Sequence, residues 1–272
     1  MNRVSPHYRG VWQRLSLQVA GGERDTSTQV YWLQTPSLYG DIRVPADRPD
    51  FSGRRSLQDF DDTELAWLTR QKGFAGLLEA EGDICRWHRE VDYQPSTGED
   101  DVGHMHFEGP LLVETGVDRE YEEEWRRLTS PDAPYVALEL ISEIDALGPN
   151  RERTGYVLVV GDYFLYVRGR RGALPPGPSL ADVTNSARCS RQCMLDLLDF
   201  EISFGRCQGA DVPWRIELST LPFREGQPLF TPDTAPVPRS GVDGSLYYES
   251  REGRLRRHWT VREWSAGFDW FG

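Results

Sequence analysis

The chain has 272 residues, enough for one large domain or two small ones with ample core. A mean hydropathy of -0.57 beside 11% aromatic residues describes a folded rather than a disordered protein. The net charge of -12, from 43 acidic against 31 basic residues, argues against nucleic acid or an anionic membrane as the main partner, since both demand a basic face. The dense basic stretch Arg251 to Arg257 reads as solvated strand.

Residues 10–20 alternate as a strand, and 29–35 and 38–44 give two more around the Thr35-Pro36-Ser37 break. On the third strand the period of two puts Tyr39, Asp41 and Arg43 on one face and Leu38, Gly40 and Ile42 on the other. Residues 45–55 are a turn-rich connection. The period then changes: Asp61 or Asp62 caps a helix carrying Leu65, Trp67 and Leu68, expected to close at Gly73. Strands resume at 74–83, 84–94, 103–109, 110–116 and 120–128, separated by Pro, Gly and Asp turns. Short strands joined by hairpins point to a barrel rather than a parallel sheet.

The pattern then begins again. Trp87 and Pro95 in WHREVDYQP have their counterparts in Trp214 and Pro222 of WRIELSTLP; Arg43 ending GDIR is matched by Arg168 ending LYVR; Trp125 ending YEEEW is matched by Trp264 ending TVREW. Helical periodicity over Leu180 to Leu198 recurs where the first half has its helix. Four matches in one order at a near-constant offset indicate duplication, with domains at 1–130 and 131–272 divided near Thr129-Ser130-Pro131-Asp132. Tyr39, Asp41, Arg43 and Asp92 correspond to Phe164, Tyr166, Arg168 and Ser219, so the first copy carries more ionisable groups and is the better candidate for function.

Gly10-x-Trp12 on the first strand resembles the signature in which a lipocalin tryptophan plugs one end of an antiparallel barrel. With YWLQTPSLYGDIRVP (31–45), GFAG (73–76), WHREVDYQP (87–95), VETG (113–116), Tyr121-x-Glu123-x-Trp125, VVGDYFLYVRGR (159–170) and STLPFREG (219–226), nearly the whole chain resembles the fungal Hri family and its bacterial relatives, proteins built of two lipocalin-like barrels. The resemblance implies a mainly β fold of two consecutive lipocalin-like antiparallel barrels, each with a short helix. It implies no settled activity, so no catalytic residue is carried over.

The interior of such a barrel is filled by side chains or holds one small ligand. The expected lining of the first is Trp32, Gln34, Tyr39, Asp41, Arg43, Trp87, Tyr93, Glu123 and Trp125. A partly apolar and anionic small molecule is the expected ligand, with Trp32, Trp87 and Trp125 as walls and Arg43, Asp41 and Tyr39 holding its polar end. The alternatives are a cofactor-independent isomerase, lyase or hydrolase in which Asp41 or Glu123 moves a proton, and an interaction module with filled barrels and an acidic surface for a protein partner. His88, Glu90 and Asp92 alternate with Trp87, Val91 and Tyr93 and are expected outside. His104 and His106 have no third ligand at a telling spacing, and Cys189 and Cys193, four apart with no histidine near, are expected as free thiols on one helix face, so no metal is expected. Phosphate loops, a GxSxG elbow, HExxH and CxxC are missing, and no cofactor is expected. The opening MNRVSPHYRG has no apolar run of the secretory kind and no segment approaches a membrane span, so a cytoplasmic protein is expected. The aromatic C-terminus, with Trp264, Phe268, Trp270 and Phe271, is expected to pack on its own chain.

Overall fold

The computed structural model describes residues 4–146, 148–150, 153–186, 189–208, 212–241, 246–266, 268 and 270. Its first half runs β1 (Gly10–Val19), β2 (Gln29–Gln34), β3 (Leu38–Val44), α1 (Asp62–Leu68), β4 (Lys72–Glu81), β5 (Ile84–Asp92), β6 (Val102–Glu108), β7 (Leu111–Gly116) and β8 (Tyr121–Arg127). Each strand pairs antiparallel with the next, and β8 returns to β1 with Arg14 opposite Trp125, which closes an eight-stranded barrel. Closure leaves no free edge.

The second half runs β9 (Tyr135–Asp145), β10 (Gly148–Asn150), β11 (Gly155–Val160), β12 (Tyr163–Arg168), α2 (Leu180–Thr184), α3 (Arg191–Leu198), β13 (Glu201–Arg206), β14 (Arg215–Ser219), β15 (Val237–Ser240), β16 (Leu246–Glu252) and β17 (Leu255–Trp264). It forms one antiparallel sheet in the order β14-β13-β12-β11-β9-β17-β16-β15, with β10 beside β9. β17 returns to β9 as β8 returns to β1, but β14 and β15 stand at opposite ends of the ladder. The first barrel is thinnest at the corresponding seam, where β5 and β6 pair only over Ile84 to Arg86. The outer edge of β14 is covered instead by the returning chain: Ile216 N donates to Gln227 O at 2.9 Å and Leu229 N to Trp214 O at 2.7 Å.

Helix α1 starts where its cap chemistry says. Asp61 accepts from Glu64 N at 2.9 Å while Glu64 accepts from Asp61 N at 2.8 Å, a reciprocal capping box. It does not close at Gly73: the helix ends at Leu68, and Gly73 lies inside β4, where a Cβ would press to 2.8 Å on the Asp41 carbonyl and to 2.8 Å on the Ile202 side chain.

The halves press together face to face. Leu33, Leu38, Ile42 and Ala75 on the outside of the barrel share one hydrophobic core with Leu158, Leu165, Val167, Ile202 and Phe204 of the second sheet, and Tyr31 stacks on Phe204 at 4.2 Å. The sheets approach closely because Gly40 has no side chain; a Cβ there would meet Leu165 Cδ2 at 2.4 Å. Strand β5 joins the same interface through a bulge. Ala75 pairs with Val91 but Gly76 with Arg89, leaving Glu90 as the extra residue, and a Cβ on Gly76 would meet the His88 carbonyl at 2.0 Å. The bulge reverses the alternation, so Trp87 points into the barrel while Val91 and Tyr93 point out into the interface core. Tyr93 therefore does not line the barrel, contrary to the simple period of two; its hydroxyl donates to Leu68 O at 2.9 Å. Glu90 stays exposed, as expected, and accepts from the Tyr156 hydroxyl across the interface.

The second core holds Phe164, Tyr166, Trp214 and Trp259. Trp259 is the buried tryptophan of β17; Trp264, the sequence match to Trp125, is 37% exposed. Of the C-terminal aromatics, Trp270 sits 5.3 Å from Trp214 and 5.9 Å from Phe230, and its carbonyl accepts from Trp214 Nε1 at 2.7 Å, so the tail covers the second core; Phe271 lies outside the described residues.

The close approach at Gly40 is testable. Gly40→Ala should cost about 1–3 kcal/mol in urea denaturation, the usual range for overpacking. The cost should shrink in a Leu165→Ala background. An equal cost in both backgrounds would show that the halves do not press together here.

Candidate functional site in the first barrel

Because Leu38, Gly40 and Ile42 are taken up by the interface, Tyr39, Asp41 and Arg43 must face the barrel interior. Cross-strand neighbours are then set by register: Trp32 and Phe74 flank Asp41 on either side. The middle of the barrel is a packed aromatic column. Trp12 stacks on Trp32 at 5.9 Å, and Trp32 meets Trp87 and Trp125 nearly at right angles at 6.1 and 5.9 Å. Gln34 is spent on the hairpin: it accepts from Trp32 Nε1 at 3.2 Å and donates to Thr35 O at 2.8 Å and Leu38 O at 3.2 Å.

Above this column lies a charged end. Arg43 donates through Nε to Asp41 Oδ1 at 2.8 Å and through Nη1 to Glu123 Oε1 at 3.3 Å. Arg14 reaches the same Glu123 oxygen at 2.7 Å and Asp25 at 2.9 Å. Arg89, on the face of Trp87 at the mouth of the barrel, donates to Asp101 at 2.6 and 3.0 Å and to Asp92 at 3.0 Å. Glu114, opposite Glu123 on the neighbouring strand, accepts from the Tyr121 hydroxyl at 2.7 Å. Between them is a hollow lined by Trp32, Asp41, Arg43, Phe74, Trp87, Asp101, Glu114 and Trp125, with about 20 Å³ that a small occupant could fill. That is room for one or two waters rather than a metabolite.

Burial and the neighbouring Glu123 push Glu114 up to about 8, so its carboxyl is protonated at neutral pH. Burial likewise raises Asp41, against the pull of Arg43. Three buried polar atoms here have no hydrogen-bond partner among the described residues: Tyr39 Oη, Glu123 Oε2 and Trp125 Nε1.

The structure thus brings Trp32, Asp41, Arg43, Trp87 and Trp125 to the hollow, with Glu123 beside it, and leaves Gln34 in the hairpin and Tyr93 in the interface. Sequence reasoning missed Glu114, Asp101, Phe74, Arg14 and Arg89. Glu114 was legible, since on an apolar strand it shares the face of Leu112. Asp101 follows a turn-like run that no periodicity places indoors, whereas plain alternation from Trp87 already puts Arg89 on the inward face.

The outlying candidates stay outside. His88 is exposed beside Glu79, His104 beside Asp83 and His106 beside Glu108. Cys189 and Cys193 lie 2.8 Å apart at the start of α3 as free thiols. No group of three or more His, Cys, Asp or Glu suited to a metal occurs among the described residues. Arg168, the counterpart of Arg43, is held by Asp199 at 2.7 Å and Glu201 at 3.6 Å in a buried ion-pair network with Arg153, Glu143 and Arg257.

The chain shares its fold with a yeast protein. A crystal structure of the uncharacterized protein YLR301w from Saccharomyces cerevisiae superposes with a TM-score of 0.55 at 14% identity, over 94% of this chain and 98% of that one. No protein-family model and no curated protein matches the chain. The likeness carries the fold and no activity. No helix among the described residues is long and apolar enough to cross a membrane.

The protonated state of Glu114 has a thermodynamic signature. Its folded value, about 8, lies above the ordinary 4.5, so between these pH values the folded state holds a proton that the unfolded state has lost. Stability contributed by this group is therefore intact below about pH 4.5 and declines as pH rises toward 8, by up to about 1.4 kcal/mol per unit. Glu114→Gln should remove that decline, and melting curves of both proteins from pH 5 to 9 should diverge toward alkaline pH. Parallel curves would mean Glu114 is ionised throughout.

Proposed function

We propose that the charged end of the first barrel is the working site of this chain and that it binds a small polar molecule of a few heavy atoms. The observation that carries this reading is the hollow itself: carboxyls and one guanidinium converge on it, one carboxyl is held protonated, and an unpartnered indole N–H opens beside it. The size of the space and the three carboxyls around Arg43 move the reading away from a partly apolar, anionic ligand. Arg43 already spends its fork on Asp41 and Glu123, and an anion would have to displace them.

The aromatic column favours a second reading, an interaction module whose filled barrel serves as scaffold and whose acidic surface meets a protein partner. We further propose that the halves are copies of one lipocalin-like unit related to the Hri proteins, which the matching strand order and the full-length likeness to a yeast fold support. A cytoplasmic setting belongs to the same proposal, supported by four free cysteines.

A thermal-shift screen separates the readings. Polar solutes of two to four heavy atoms should stabilise the protein and larger aromatic carboxylates should not, and Arg43→Ala should change which small solutes act. Stabilisation by the large apolar acids alone would restore the carrier reading. No stabilisation by any solute would leave the interaction module.

A further inference from the structure

We infer that the hollow in the first barrel takes a small organic cation of ammonium chemistry and methylammonium size, and that Glu114 is the carboxyl that faces it. This rests on the reading that the hollow is the working site, and it names the ligand class.

Four rings wall the hollow: Trp32, Phe74, Trp87 and Trp125. Trp87 and Trp125 stand at 72° and 73° to Trp32, so three indole planes form a corner, and the faces of such rings attract positive charge. The wall already engages cations of this chain. The guanidinium carbons of Arg43 and Arg89 lie 5.2 and 3.6 Å from the centre of the Phe74 ring.

The carboxyls are not evenly served. Asp41 has Arg43 and Asp101 has Arg89, whereas Glu114 has the Tyr121 hydroxyl and no ion-pair partner within 4 Å among the described residues. Glu123, 3% exposed and on the same inward face as Trp125, keeps Oε2 without a donor. An ammonium group offers N–H donors and charge to both. An anion would meet three carboxyls, and an apolar solute would leave Glu123 Oε2 unsatisfied.

A cation opposite Glu114 favours its ionised form, so binding releases a proton. The groups facing Glu114 are Glu123 and Tyr121 on β8, Asp41 and Arg43 on β3, Asp101 ahead of β6 and Cys85 on β5. Burial holds Cys85 at about 12 and Tyr121 higher still, so neither titrates near neutrality. Affinity should therefore rise up to tenfold per pH unit between about pH 6 and 8 and level off above.

The test is calorimetric titration of the full-length protein with methylammonium chloride at fixed ionic strength, at pH 6.5 and 8, with formamide and formate as neutral and anionic probes of similar size. Methylammonium should bind at least tenfold more tightly at pH 8, with a heat that depends on the ionisation enthalpy of the buffer because a proton is released. Glu114→Gln should lose the binding tenfold or more together with the pH dependence, and Glu114→Asp, which keeps the charge, should retain the pH dependence at weaker affinity. Undiminished binding by Glu114→Gln, or formate binding in place of methylammonium, would overturn the inference. Formamide or formate binding without methylammonium would leave the small-polar reading standing and the cation wrong; silence from all three probes would remove both.

Discussion

The face-to-face contact between the halves constrains everything else. β2, β3 and β4 are buried on both sides, outward against the second sheet and inward against the barrel. A strand of that kind has no solvent face on which to place Asp41, so its carboxylate must be paired indoors. The glycines at 40 and 73 let the sheets close to this distance, and the bulge at Gly76 carries Val91 and Tyr93 into the same core. The charged end of the barrel is a consequence of how the outside was buried.

Inside, the charges are apportioned rather than neutralised one for one. Each arginine of this end serves two carboxylates: Arg14 joins Glu123 and Asp25, Arg43 joins Asp41 and Glu123, and Arg89 joins Asp101 and Asp92. Glu114 is left over, and keeping its proton is the least costly way to bury it. In the second half Arg168, Arg153 and Arg257 share Asp199, Glu201 and Glu143 in a network with arginine on every side, and burial notwithstanding, Glu143 and Glu201 are held below their ordinary values by those arginines. Arg168 thus closes a balanced network in the second half, while Arg43 borders a carboxyl that has no ion-pair partner among the described residues. That difference is why the first half is the place to look for a ligand.

Much of the fold was legible in residue order. Alternation located the strands of the first half, a cap at Asp61 or Asp62 located its helix, and Trp87 and Trp214 are each buried in the core of their own half. Glu114 could have been read by the same alternation. The match of Trp125 to Trp264 misled, because β17 meets β9 through two register shifts and buries Trp259 instead.

What the sequence determined by itself is what depends on neighbours along the chain: strand and helix periods, the cap, the turn at Thr35-Pro36-Ser37, and the single face shared by Tyr39, Asp41 and Arg43. Which way that face points was decided only by tertiary structure, because it follows from the burial of Leu38, Gly40 and Ile42 against residues more than a hundred positions away. The fate of Tyr93 was decided there too, since one extra residue in a strand reverses every side chain after it. So was the protonation of Glu114, which depends on the Glu123 that the β7–β8 register sets beside it and on the arginines that register assigns elsewhere.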